Sequence, residues 1–371
     1  MSRDAKWLAD RTDGNDETKL MKSTPQKSIG LMALVWLLAT ITIGLQSWIG
    51  DQTIYSRSLE QKREELHFAI LANKAPGDAG WGAVGALSVQ KRVGIVYLAE
   101  AIRKYTSITT GKIYKALDTV FLFVALLSLF FYLGKWLPDI YCLLGVLYFC
   151  TALPLTYFFQ LFHPWDRLQV AIWIWLLWLV ADRRFIILIF GLLASIIVKF
   201  DTVLLPFLYF LVHASHGRWR RTTLETLFLL ILAFGTYVAL GHIFPAPLDD
   251  SGLNRNGALA MLFRNAQTFA DMGWRFPPLL VHALPVFLSL FFLRSKERFV
   301  WACVAFALGL NAVYLLFSHY EEVRAHLVIL VLVLPSALLT VKRFLETDDA
   351  GIGGRALPFD APAELSAKLA Q

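Results

Sequence analysis

Charge is scarce in this chain. Asp, Glu, Lys and Arg make up 17% of its 371 residues, against about 25% in ordinary soluble proteins. Such a chain lacks the charge to clothe a water-facing surface. Cysteine is scarce too. The three, Cys142, Cys150 and Cys303, all sit inside apolar runs, with no CxxC and no Cys/His spacing. That excludes a zinc site and a disulfide framework. There is no Walker loop, no GxGxxG following a strand and no Gly-x-Ser-x-Gly elbow. No basic stripe alternates with exposed aromatics, so nucleic acid is not a partner. No internal repeat is visible.

What the chain has is apolar length. Hydrophobic residues make up 57% and aromatics 14%, and the mean hydropathy is +0.56. Ten apolar spans can be read: Ser28–Ile49, Ile113–Trp136, Asp139–Phe158, Leu168–Ala181, Phe185–Phe200, Thr202–His213, Leu224–Phe244, Pro277–Leu293, Phe299–Ser318 and Val323–Val341. Runs of about 20 apolar residues can cross a hydrocarbon core of about 30 Å. Backbone in lipid must satisfy its own hydrogen bonds, which helices do. The fold class predicted is therefore an all-α membrane protein with about ten transmembrane helices. Residues 1–27 are polar, carry both charges and lack a cleavage site, so Ser28–Ile49 is predicted to be an uncleaved first span.

Short loops set the orientation. With the N-terminus in the cytoplasm, Lys135, Asp182–Arg184, His216–Arg221, Arg294–Arg298 and Lys342-Arg343 all fall inside. Phe162–Arg167, Lys199–Asp201 and His319–Arg324 fall outside. Both termini are then cytoplasmic, and the net charge of +7 reflects the inner loops and anionic lipid. The membrane domain spans 28–343, with a cytoplasmic tail on each side: 1–27, and 344–371, whose Gly, Pro and charge content predicts disorder.

Two long loops fall outside, 50–112 and 245–276. In the first, Val93, Val96, Leu98, Ala99 and Ile102 recur at helical spacing. Arg92, Glu100, Arg103 and Lys104 lie mostly off that stripe. The pattern predicts an amphipathic helix on the membrane surface. Thr53–Leu71 is a weaker helical stretch. The sixth span, Thr202–His213, is only about 18 Å long at 1.5 Å per residue. The fifth and sixth spans are therefore predicted to form a hairpin with its tip, Lys199–Asp201, below the outer surface.

The candidate chemistry lies at these outer boundaries. Asp51 follows the first span, as a base at the mouth of an external cavity. His163 and Asp166 are three residues apart and share a face if helical. Lys199 and Asp201 carry charge at membrane depth, where an ionisable group is a functional candidate by default. Lys199 suits a phosphate as a point charge. Glu322 and Arg324 precede the last span, and Arg324 could grip a phosphate with its fork. Arg255 lies in the second long loop. Each also has a plain structural reading, as a solvated helix end, a cap or an internal ion pair.

Together these features resemble the GT-C superfamily of polytopic membrane glycosyltransferases. Asp51 and the Val93–Tyr105 stretch stand where that family has an external acid followed by interfacial helices. Phe162–Arg167 (FHPWDR), Val198–Thr202 (VKFDT) before Pro206, and Glu322–Arg324 before Pro335 look like stretches of uncharacterised GT-C-like proteins of bacterial polysaccharide loci. That group often reads Arg-Glu-Thr where this chain reads Lys199-Phe-Asp-Thr202, with one residue inserted between base and acid. The resemblance implies sugar transfer from a polyprenyl-phosphate-linked donor to a glycan or lipid acceptor. It implies a site on the periplasmic face of the inner membrane, in cell-surface polysaccharide or glycolipid synthesis. Asp51 would take the acceptor proton, helped by His163 and Asp166. Lys199, Asp201, Arg255, Glu322 and Arg324 would hold the phosphate or substrate. A divalent cation could share that load, although the sequence demands none. The alternatives are a transporter or lipid flippase, and a non-catalytic subunit of a polysaccharide assembly complex.

Overall fold

A computed structural model describes residues 25–53, 59–72, 93–154, 165–215, 217–244, 258–276, 279–317, 320 and 326–352. Every regular element among them is helical. The α-helices are α1 Pro25–Thr53, α2 Leu59–Leu71, α3 Val93–Tyr105, α4 Thr110–Leu133, α5 Asp139–Ala152, α6 Asp166–Ala181 and α7 Phe185–Val198. They continue as α8 Leu205–His213, α9 Trp219–Ile243, α10 Ala258–Met272, α11 Leu284–Ser289, α12 Arg298–Phe317 and α13 Leu327–Ile352. Among the described residues each apolar span contains helical turns. Five helices, α1, α4, α9, α12 and α13, are long and apolar enough to cross a membrane.

Two helices organise the bundle. From Leu327 to Leu334 no residue of α13 is more than 2% exposed. A helix apolar and buried all round is a central one, and α13 packs on α4, α5, α6, α11 and α12. The other centre is α4, which touches α1, α2, α3, α5 and α6. Gly145 of α5 permits one of the closest approaches: a Cβ there would meet Leu133 Cδ1 at 2.5 Å and Leu338 Cδ1 at 2.9 Å.

The chain reverses at Lys199, a single extended residue (φ −162°, ψ 132°) between α7 and a 3-10 turn over Phe200–Leu204. The reversal brings the Phe185 and Tyr209 rings within 5.9 Å. Yet α8 packs mainly on α9 and α12, not along α7. The predicted hairpin is therefore splayed rather than closely paired.

In the two long loops the structure departs from expectation. Helix α3 exists, but its buried face is Val93, Ile95, Val96, Ala99 and Glu100, while Leu98 is 42% exposed. The buried part of the stripe, Val93, Val96 and Ala99, packs on α4 and α7, while Tyr97 and Leu98 stay exposed. Gly94 sets that contact, since a Cβ there would meet Ile197 Cγ2 at 3.3 Å. The second loop contains a helix unforeseen from the sequence, α10. Its Asn265 donates to the Leu315 carbonyl at 2.8 Å, which ties it to α12. The last helix also runs past Arg343 to Ile352.

Charge is segregated between the two ends. The connections predicted to be cytoplasmic meet one another and the adjoining helix ends: Lys135 pairs with Asp182 at 2.8 Å, Arg183 with Glu225 in the second turn of α9 at 3.4 Å, and Trp136 donates to Glu297 at 3.0 Å. The candidate site lies at the other end.

Candidate functional site

The end of α7, the starts of α4 and α6, and the helices α2 and α3 converge on a small core of Val93, Ile95, Val96, Ile113, Tyr114 and Trp165. Polar side chains are threaded through and beside it in three linked groups.

The first group centres on Lys199. Its Nζ lies 3.2 Å from Asp166 Oδ1 and 3.7 Å from Asp201 Oδ2, with side-chain exposures of 12%, 3% and 11%. Asp166 stands in the first turn of α6, where the helix dipole favours an acid. Asp201 opens the 3-10 turn. One helical turn beyond Asp166, Gln169 donates to Asp201 Oδ1, and Trp173 Nε1 donates to the same oxygen at 3.4 Å. The spacing 166, 169, 173 thus lines one face of α6 with groups that serve the Lys199 turn.

In the second group Arg63 Nη2 bonds Asp118 Oδ2 at 2.8 Å, both side chains being at most 2% exposed. Asp118 lies two turns inside α4, about 12 Å from its start at 1.5 Å per residue. Arg167 donates to Gln46 Oε1 at 2.8 Å, and Gln46 donates onward to the Leu153 carbonyl at 2.5 Å. These bonds close the junction between α1, α5 and α6.

The third group docks α2 and α3. His67 bonds Tyr114 OH through Nδ1 at 2.9 Å and Glu100 Oε2 through Nε2 at 3.1 Å. The carboxylate can only accept, so Nε2 carries the proton and Nδ1 accepts from the tyrosine. Arg103 clasps Glu100 with two bonds of 2.7 and 2.8 Å. That fork, with His67 adding to it, holds the Glu100 carboxyl down at about 2. Burial pushes the His67 imidazole below its ordinary value, partly offset by Glu100. Residues 63, 67 and 70 of α2 form one helical stripe, and 118, 114 and 110 of α4 form the facing one. The two run antiparallel, so the ionic and hydrogen-bonded contacts fall in register.

Beside the Lys199 turn an apolar groove of about 640 Å³ runs between α6 and α7. Leu168, Ile172, Trp175 and Leu179 line it from α6, and Ile187, Phe190, Ala194 and Val198 from α7. Both sets follow the i, i+3/i+4, i+7 spacing of a single helix face. Its length is about 16 Å, taking eleven residues at 1.5 Å each. One end lies at Leu168, two residues after Asp166, and at Val198, the residue before Lys199.

The sequence candidates divide as follows. Asp166, Lys199 and Asp201 are brought together. Asp51 lies in the last turn of α1, and its side chain is outside the described residues, as are His163, Arg255, Glu322 and Arg324. Sequence reasoning missed Arg63, His67, Asp118, Arg167 and Gln169. Asp118 left a signal, a lone acid inside an apolar span. Also missed is a second buried cluster, where His282 stacks on His326 at 4.6 Å and both bond Tyr320. No protein-family model, curated protein or solved structure matches the chain.

Proposed function

We propose that the chain is a membrane glycosyltransferase of the GT-C kind, crossing the bilayer about ten times and using a polyprenyl-phosphate-linked sugar on its outer, periplasmic face. One observation carries this reading: Lys199, nearly buried between two carboxylates, directly follows Val198, which lines one end of a long apolar groove. A lipid-phosphate donor has the matching form, an apolar chain ending in an anion. Lys199 has three donors, and its contacts with Asp166 and Asp201 leave capacity for a phosphate oxygen.

In this proposal the acceptor hydroxyl attacks the anomeric carbon. Asp166 takes its proton, with Asp51 and His163 as the further sequence candidates. The bond between that carbon and the phosphate oxygen breaks, and polyprenyl phosphate leaves. Lys199 stabilises the charge that develops on it. Asp201, fixed by Gln169 and Trp173, positions Lys199. Arg255, Glu322 and Arg324 keep their proposed phosphate or substrate roles from the resemblance.

The groove suits a lipid flippase equally in shape, which keeps transport as the second reading. Protein reconstituted in sealed vesicles with a radiolabelled polyprenyl-phosphate sugar separates the two. Label appearing on an added glycan or lipid acceptor supports transfer. Label crossing the bilayer on an unaltered donor supports transport and sinks the glycosyltransferase proposal.

A further inference from the structure

At the opposite, basic end, a pocket of about 460 Å³ opens between the α4–α5 turn, the connection leading into α12, and α13. Its lining brings four cations, Lys135, Lys296, Lys342 and Arg343, against two carboxylates, Glu297 and Glu346. Both acids are engaged, Glu297 by Trp136 Nε1 at 3.0 Å and Glu346 by Lys342 at 3.7 Å.

Lys296 is the unusual member. Its Nζ donates to the Phe291 carbonyl and Ser336 Oγ, each at 2.7 Å, to Thr340 Oγ1 at 2.9 Å and to the Ser289 carbonyl at 3.3 Å. All four acceptors are neutral. The ammonium is hydrogen-bonded, but these bonds set no negative charge beside it. Desolvation alone pulls it down to about 8. A cation taken partly out of water without an acid is one that an added anion stabilises. Aromatic rings frame the opening. Trp136 stacks on Phe299 at 5.7 Å, and the Arg343 guanidinium lies 4.4 Å over Phe292. Trp with Lys and Arg at the end of apolar helices is the composition of a membrane interface.

We propose that this pocket binds the phosphate headgroup of an anionic lipid, clamping the α4–α5 turn and the start of α12 to α13. Lys342 and Arg343 of α13 supply one side of the site, and Lys296 the other. The site is independent of the reaction assigned to the other end.

The test measures thermal unfolding of the full-length protein in vesicles of phosphatidylcholine alone and of phosphatidylcholine with phosphatidylglycerol. Lys342→Gln with Arg343→Gln is compared with Arg218→Gln with Arg220→Gln, an equal charge loss in a different basic connection. Phosphatidylglycerol is expected to raise the wild-type midpoint. The rise is lost in the Lys342/Arg343 variant and kept in the Arg218/Arg220 variant. Short-chain phosphatidylglycerol should bind the pocket variant roughly thirtyfold more weakly, from two surface cations removed. Equal loss in both variants, or no rise at all, overturns the site. A rise produced by inorganic phosphate and not by phosphatidylglycerol overturns the lipid assignment.

Discussion

Arg63 of the first long loop reaches into the bundle and meets Asp118 of α4 at 2.8 Å, with almost no exposure of either side chain. Two charges out of water are costly singly and tolerable as a pair. The loop helix α2 is therefore part of the fold, held by a contact that neither α2 nor α4 satisfies alone. Arg63→Ala should cost about 3–5 kcal/mol, the usual price of orphaning a buried ionic partner. Replacing both partners, as Arg63→Met with Asp118→Leu, should recover most of the loss. Chemical unfolding of the two variants in detergent checks this.

Acid should loosen the same docking in two steps. The His67 imidazole is pushed below 6.5 in the folded chain, so it favours folding above that pH and loses this contribution as pH falls below it. Glu100 falls from 4.5 to about 2, so its contribution is full above 4.5 and is lost as pH drops towards 2. Both shifts act in one direction. The thermal midpoint should decline between pH 7 and 5, and His67→Gln should flatten that first decline. A wild-type midpoint that rises in this window contradicts the assignment.

Packing at α5 gives a third expectation. A Cβ on Gly145 meets two leucine side chains, whereas one on Gly309 of α12 meets nothing within 4 Å. Gly→Ala inside a helix gains about 0.5–1 kcal/mol where space allows. Gly309→Ala should show that gain. Gly145→Ala should show less, and Gly145→Val should lose about 1–3 kcal/mol by overpacking. Parallel unfolding curves of the three variants test it.

These residues show how far the sequence could be read. Apolar length was legible because a helix in lipid needs nothing beyond its own run, and five of the spans hold helices long and apolar enough to cross a membrane. Asp166, Lys199 and Asp201 were legible because each interrupts or borders such a run. Arg63, His67 and Asp118 were not singled out, because their meaning depends on α2 docking against α4, a contact between distant segments. In α3 the helix was legible and its face mostly so: Val93, Val96 and Ala99 are buried and Ile102 packs beside them, but Leu98 is exposed. Tyr97 and Leu98 are apolar as well as Val93, Val96 and Ala99, and packing on α7 decided which side was buried. Helix α10 was missed although Leu259, Leu262, Phe263, Ala266 and Phe269 recur at helical spacing, with Arg264 and Asp271 two turns apart on another face.

Lys199 should be indispensable for the donor, and its loss should also lower stability, because Asp166 and Asp201 then lose the cation between them. Lys199→Gln keeps hydrogen bonding to Asp166 while removing the charge. It should abolish sugar transfer and leave the bundle helical by circular dichroism.

The most direct measurement is binding of a polyprenyl monophosphate to the detergent-purified protein by native mass spectrometry. The wild-type chain should retain the lipid. Lys199→Gln should weaken binding by removing the charge that follows Val198 at the groove's end, and Ala194→Trp by filling the groove between α6 and α7. Weakening in both, with a polyprenyl alcohol binding poorly to all three proteins, is the result predicted. Equal retention of the phosphate lipid by all three would contradict the account at its centre.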